Sequence, residues 1–496
     1  MPAIGLEAEF NVWMDGREIV PEKLWRHPRE FIHDPLLHRT GRSSQIPAGG
    51  AVYFDRGVIE VVTPLIEIAP GCAARAVRSL WEQIGYVRGQ LDQWEGTSGH
   101  QVRLRAYSTH YNVSFDVPRW KQRKDRNIRR LALLLAYIVP IPLMLVGANR
   151  RSTGIGVRPR GNRVEITADF TPDPALMIVA ATLIVGIVRE VMSWPSYRLG
   201  LLREIPVPTV AGVIPGRHTS RKGWLTKDFH YAQSPYGADV DARIWPTRDG
   251  RMLSLRRLAV ETVWFFRKSI RRHADPFTWK LLFSILEGET PSLLELDDRP
   301  RAYDDVGRLC RWGMVIDELR HFRDTLQLPP LHQEISWDQF VRSREAERQR
   351  AMRRTLTNVL LEKGKKETPA EEGSSLPSGD GPARARRRSE RLLPDEYLDR
   401  RRRVPQRARG LPNRRAREER RVRKVPTPFP DRRLQRSAYE QVFLQLVSGR
   451  KLRIGAETFT PIGMKGWYHA LFRSDADGRQ RILTIDQLLR RMQDWV

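Results

Sequence analysis

The chain has 496 residues, 40% of them apolar, and carries 86 Lys and Arg against 58 Asp and Glu, a formal net charge of +28. That length points to two or three structural units, and the apolar fraction is enough for a sizeable core. Two widely separated cysteines, Cys72 and Cys310, exclude a disulfide framework and fit a reducing cytoplasm.

The charge is localised. Arg384–Arg436 holds 21 Lys or Arg against 7 acids, half of the net excess. Such a stretch speaks to partners, an acidic protein or a nucleic acid, rather than to chemistry. The opening MPAIGLEAEF shows neither a basic n-region nor an apolar h-region, so no signal peptide is expected.

Taken in chain order, Ile4–Trp13 alternates Leu6, Ala8 and Phe10 with Glu7, Glu9 and Asn11, a period-2 pattern that predicts a strand. Ala51–Val62 and Val102–Phe115 alternate in the same way, and Cys72–Leu91 reads as an amphipathic helix. Leu131–Ala148 and Ala175–Val188 are apolar runs, the first interrupted by Pro140 and Pro142; both read as buried core segments, with no membrane expected. Ile155–Phe170 predicts a strand pair turned at Gly161-Asn162. From Leu253 to about Lys366 the pattern is helical. Residues 367–430 are too polar and too basic to bury a core and are expected to stay disordered. Tyr439–Val496 regains aromatics and periodicity, as a small terminal domain would. Strands with helices on one side imply an α+β fold.

Four clusters have the residue types for chemistry. Glu7 and Glu9 share one strand face, about 6–7 Å apart, a spacing suited to hard cations, although taken alone the alternation is that of a solvent-facing strand edge. Tyr53 and Asp55 share a face, followed by Glu60 and Thr63. Carboxylates converging there would hold Mg²⁺, or act as a base if left free of metal. His110, Asn112 and Ser114 point one way from a strand whose other face is apolar. Arg150, Arg151, Arg158, Arg160 and Arg163 precede Glu165, and guanidinium groups grip phosphate oxygens in bidentate fashion. There is no Walker A loop and no Gly-rich dinucleotide fingerprint, so any phosphates would be held by Arg and metal.

In this order, an ExE strand, a second acidic strand, an H-x-N strand and an Arg-rich strand ending in R-x-E resemble the glutamine synthetase and glutamate–cysteine ligase superfamily. The segment RRSTGIGVRPRGNRVEITADFTPDPALMIVAATLIVG looks like that superfamily's Arg strand, metal-binding Glu and following helix, although Thr167 stands where Arg is common. Within the superfamily the chain is most similar to the Pup ligase and depupylase family. The matching segments are Gly5-Leu6-Glu7-Ala8-Glu9-Phe10, then GGAVYFDRGVIEVVTP, then His110-Tyr111-Asn112-Val113. It departs from that family at Ala51, in lacking a His-Pro before Glu60, and in a shorter Asp-to-Glu interval.

The resemblance implies a glutamine synthetase-like antiparallel sheet funnel with packed helices, in a catalytic domain over residues 1–250. A helical part would follow over 251–366, then the Arg-rich linker 367–430 and a small C-terminal domain over 431–496. It also implies ATP and Mg²⁺ as cofactors. Glu7, Glu9, Tyr53, Glu60 and Glu165 would surround the metal, and Asp55 would be the base. Arg163, with Arg158 and Arg160, would steady the transferring phosphoryl group; Thr63, His110 and Asn112 would line the nucleotide site. The expected activity is carboxylate–amine ligation through an acyl phosphate. A small protein modifier and a lysine-bearing target would be the partners, and the modest Phe10–Phe54 interval leans away from depupylases. A small-molecule glutamate–amine ligase, a depupylase or deamidase, a scaffold that has lost catalysis, and a non-catalytic binder using the Arg-rich segment remain the alternatives.

Overall fold

A computed structural model describes residues 2–34, 36–38, 43–116, 124–150, 152, 154–171, 174–217, 223–295 and 436–496. All of them belong to one compact unit formed by residues 1–345 and 426–496. The Arg-rich stretch 367–430 and the helical stretch beyond Glu295 lie outside the described residues, as do Arg151 and Cys310.

The alternating sequences become the middle of an antiparallel sheet. Its main strands are β1 (Ala3–Met14), β2 (Ala51–Asp55), β3 (Val58–Val62), β4 (Val102–Ser114), β5 (Gly156–Arg160) and β6 (Arg163–Asp169), ordered β5-β6-β4-β1-β3-β2. Shorter strands extend the sheet to eleven among the described residues. β2 and β3 are joined by a two-residue turn, Arg56-Gly57, with φ of +52° and +95°. Both residues are left-handed, the geometry that matches a hairpin's twist, and Gly57 takes it without steric cost. A second two-residue turn, Gly161-Asn162, joins β5 to β6 where the sequence pattern expects it.

Each central strand buries its apolar set on one face. Ile4, Leu6, Ala8 and Phe10 of β1, Ile59 and Val61 of β3, Tyr111 and Val113 of β4, and Val164 and Ile166 of β6 all enter the main core. Helix α1 (Cys72–Ser98), seven residues longer than its periodicity suggested, covers this face and packs on α4 (Pro174–Ser193). The first apolar run forms α2 (Lys124–Ile138) and the buried α3 (Pro140–Gly147), with a 62° bend at the prolines. α4 is long and apolar enough to cross a membrane, yet 78% of its most apolar window is buried inside the protein. It lies against α5 (Leu255–His273) and α6 (Pro276–Leu286), as a core helix does.

A β-bulge in the central pair reorganises β4. Glu9 of β1 pairs with Ser108, but the next residue, Phe10, pairs with Ala106, leaving Tyr107 as the extra residue. Val102, Leu104 and Ala106 therefore face the core, whereas Ser108, His110 and Asn112, of the same parity, face the other way.

Residues 436–496 form a smaller body: α7 (Ala438–Val447), a four-stranded sheet of β7 (Leu452–Ile454), β8 (Glu457–Lys465), β9 (His469–Ser474) and β10 (Gln480–Thr484), then α8 (Ile485–Leu489). Its own core includes Val442, Phe443, Phe472 and Leu488, and reaches Ala3 at the start of β1. Ser437 and Glu440 make a capping box on α7, and Glu440 also forms a buried ion pair with Arg78 of α1. Glu67 Oε1 accepts from the Tyr439 backbone N–H at 2.7 Å. The small body is thereby fixed to the edge of the large one.

Gly186 marks a close helix crossing. A Cβ there would stand 2.6 Å from Ile270 Cα on α5. Gly186→Ala should therefore destabilise by about 1–3 kcal/mol through overpacking, although Ala at an open helix site would stabilise by up to ~1 kcal/mol. Chemical denaturation reads the sign, and a stabilised variant would contradict the close crossing.

Candidate active site

The polar face of the sheet is organised in rows set by strand register. Tyr53, Glu60, Glu9 and Ser108 form one row, each opposite the next. Val62, Glu7, His110 and Thr167 form the second, and Gly5, Asn112, Glu165 and Arg158 the third. Residues up to 107 positions apart in sequence, Gly5 and Asn112, thus stand side by side. Glu7, Glu9, Glu60 and Glu165 have all left bulk water, at 9, 2, 4 and 0% exposure.

Four carboxylates this deep require positive charge nearby. His110 lies at the centre. Its Nδ1 is 3.2 Å from Glu7 Oε2, and its Nε2 is 3.6 Å from Glu9 Oε1. Burial alone would lower the pKa of His110. The hydrogen bond to Glu7 and the charges of Glu165, Glu9 and Glu7 outweigh this and raise it to about 9. Ser108 Oγ donates to Glu9 Oε2 at 2.5 Å. Glu165 is clamped by two guanidinium groups, an ion pair to Arg158 and one from Arg160 Nε at 2.7 Å. Burial pushes its pKa up, but His110, Arg158 and Arg160 together bring it down to about 2.

Glu60 is left short of charge. Burial and the neighbouring carboxylates of Glu7 and Glu9 push its pKa up to about 9, against the opposing effects of a hydrogen bond from Tyr53 and the charge on His110. Ligand atoms of Glu7, His110 and Glu165 all lie within 4.8 Å of one another. This donor set, carboxylate oxygens with one imidazole, fits a divalent cation, and the frustrated Glu60 shows where its charge would be felt. A cation at His110 would take the place of a proton there, since imidazole ligates only through an unprotonated nitrogen.

Beside this cluster opens a cavity of about 660 Å³, within the range of small-ligand sites. Glu7, Tyr53, Asp55, Thr63, Asn112 and Arg163 line it. Asp55 is exposed at the end of β2, on the same face as Tyr53. Asn112 Oδ1 accepts from Arg163 Nε at 2.6 Å, and Arg163 Nη2 stands 4.0 Å from Glu7 Oε1. The Thr63 hydroxyl oxygen accepts from the Leu6 N–H at 2.9 Å, which leaves its proton and a second lone pair for a ligand.

All twelve site residues proposed from sequence therefore gather at one end of one sheet face, in two layers. Glu7, Tyr53, Asp55, Thr63, Asn112 and Arg163 border the cavity; Glu9, Glu60, His110, Arg158, Arg160 and Glu165 are not among its lining residues. His110 sits among the acids, where the sequence reading had placed it with the nucleotide. Arg158 and Arg160, expected to meet phosphate, are engaged by Glu165 instead. Asn149 and Ser152 satisfy the buried Asp169, which is structural.

The sequence reading missed one part of the lining: Lys465, Gly466, Trp467, Tyr468 and His469, from the turn between β8 and β9. The Gly-Trp-Tyr run beside a lysine and a histidine was the available signal, but nothing local tied it to the N-terminal strands.

No family profile and no curated protein sequence matches the chain. Among matching solved structures is a complex between the prokaryotic ubiquitin-like protein Pup and its ligase PafA. It shares 12% identity and a TM-score of 0.33 over 65% of this chain and 70% of that one. A likeness of that size carries no argument about chemistry. The rows of side chains must carry it.

Mg²⁺ or Mn²⁺ should raise the melting temperature of the wild-type protein, a ligand at 100 times its Kd contributing about 2.7 kcal/mol. Glu7→Gln should remove most of that shift. An equal shift in the variant would place the cation elsewhere.

Proposed function

We propose that this chain is an ATP- and Mg²⁺-dependent carboxylate–amine ligase that forms an amide or isopeptide bond through an acyl phosphate. One observation carries the reading: four buried carboxylates and a histidine from four strands converge beside a ligand-sized cavity that also presents Asp55 and Arg163. The ExE, Y-x-D and H-x-N segments that resemble glutamine synthetase-like ligases are the same segments that build this convergence.

The chemical logic starts from the carboxylate, a poor acylating group because its leaving group would be oxide. Phosphoryl transfer from ATP converts that oxygen into phosphate, and an amine then displaces it, leaving an amide, ADP and phosphate. A bound Mg²⁺ supplies charge neutralisation for the phosphates and the reacting carboxylate. Glu7, with Glu165 and His110 in reach of the same point, would hold it, with Glu9 and Glu60 in the neighbouring row. Arg163, oriented by Asn112, presents a guanidinium to the cavity and steadies charge on the transferring group. Arg158 and Arg160 hold Glu165 in place. Asp55, exposed at the cavity wall, takes the proton from the incoming ammonium.

Resemblance to the Pup ligase family suggests the finer identity of the substrates, a terminal glutamate on a small protein modifier and a lysine on a target protein. A small-molecule glutamate–amine ligase uses the same chemistry with free substrates.

The deciding assay is ADP and phosphate release with Mg²⁺ across panels of acids and amines, including a peptide ending in glutamate. Turnover should require both an acid and an amine. Asp55→Asn should lower it by about a hundredfold or more while nucleotide binding persists. Full activity in that variant removes Asp55 from the mechanism, and silence of the wild-type protein across the panel defeats the ligase reading.

A further inference from the structure

The cavity beside the acidic cluster is also lined by the turn that joins β8 to β9, in the small C-terminal body. Lys465 and His469 face each other across that hairpin, and Gly466, at φ +64°, makes the left-handed bend that Lys465 precedes. The turn is anchored. Trp467 packs edge-on against Phe443 at 5.3 Å between ring centres, and the Tyr468 carbonyl accepts from the Ile485 N–H at 3.0 Å. The body that carries it is bound to α1 through Arg78–Glu440 and to Glu67 through the Tyr439 N–H.

Both signs of charge line this cavity. Glu7, Asp55 and Arg163 come from the sheet; Lys465 and His469 are the basic residues that the hairpin adds. Arg163 is already engaged by Asn112 and approaches Glu7. Lys465, by contrast, is exposed and its side chain makes no ion pair with any described residue. A lysine in this setting keeps three donors and a full charge for whatever enters.

We propose that Lys465 of the C-terminal hairpin is a ligand-binding residue of the catalytic cavity and holds an oxyanion of the substrate remote from the reacting centre. The inference rests on the ligase reading for its location and adds to it. The small C-terminal body contributes to substrate binding, and the favoured substrate bears an anionic group besides the reacting carboxylate. Two sources share that chemistry, a phosphate of the nucleotide and a second carboxylate of the acid, as at the terminal glutamate of a peptide.

The test uses the full-length protein with Lys465→Ala, Lys465→Arg and Lys465→Glu, and two measurements. Calorimetry with MgATP reads nucleotide affinity without any turnover. Steady-state kinetics at saturating MgATP reads KM and kcat for glutamate and for a peptide ending in glutamate.

Losing one charge-assisted contact should weaken the affected ligand by about ten- to a hundredfold in Lys465→Ala. Lys465→Glu should weaken it further, and Lys465→Arg should restore most of the affinity. A change in MgATP affinity assigns the contact to phosphate; a raised KM for the acid at near-constant kcat assigns it to carboxylate. If both measurements stay within twofold of wild type, the proposal is overturned even where the protein proves to be a ligase. If no acid and amine are joined yet MgATP affinity falls in Lys465→Ala, the ligase reading fails while the role of Lys465 stands.

Discussion

The site depends on a parity change in one strand. Side chains alternate with period two along a strand, so every even-numbered residue of β4 would share one face if the pairing ran unbroken. Val102, Leu104 and Ala106 need the core, and Ser108, His110 and Asn112 need the polar face. The bulge opposite Glu9 and Phe10 reconciles them by spending Tyr107 as an unpaired residue, left 42% exposed. One thirteen-residue strand thereby supplies apolar packing at one end and the centre of a charged cluster at the other.

From that placement the electrostatics follow. Two of the three sheet rows bring unlike charges into register: Glu7 beside His110, Glu165 beside Arg158. For Glu165 of the third row, His110, Arg158 and Arg160 together outweigh burial and bring the carboxyl down. The first row has only hydroxyls beside its acids, Ser108 next to Glu9 and Tyr53 next to Glu60. A hydroxyl donates a hydrogen bond but brings no charge, so acid crowding concentrates at Glu60. Such frustration is costly to folding unless binding relieves it, and functional sites are where proteins keep it. The imbalance lies on the side of the cluster where Tyr53 and Asp55 approach the cavity.

Much of this was legible in the sequence. Alternation announced β1 and paired Glu7 with Glu9; Gly161-Asn162 announced the β5–β6 turn. The register of that hairpin was also within reach. A two-residue turn at 161–162 sets Arg160 opposite Arg163 and therefore Arg158 opposite Glu165. Working that step through would have assigned Arg158 to a cross-strand ion pair before any phosphate. The bulge was not legible, because an inserted residue leaves no mark in composition. Nor was the place of His110, set by a pairing to Glu7 across 103 residues. Long-range register is decided by competition among all strands for one core, and a local pattern does not record it.

The same limit explains why the hairpin wall went unnoticed, and it bears on why the C-terminal body is held so firmly. Its docking contacts are not merely apolar: Glu440 is 1% exposed and meets an Arg78 side chain 9% exposed. Burying an ion pair is a poor way to gain stability, since desolvation offsets most of the attraction, but separating the partners leaves uncompensated charge and costs about 3–5 kcal/mol. Such a contact discriminates against displaced or rotated docking more than it strengthens the correct one. Glu440 makes this plain, because it also closes the capping box that starts α7. Helix start and domain docking thus share one carboxylate, so the body docks in the single orientation that serves both. A hairpin wall requires that: an apolar contact alone tolerates sliding, whereas a cavity lined from two bodies keeps its shape only if their relative position is fixed.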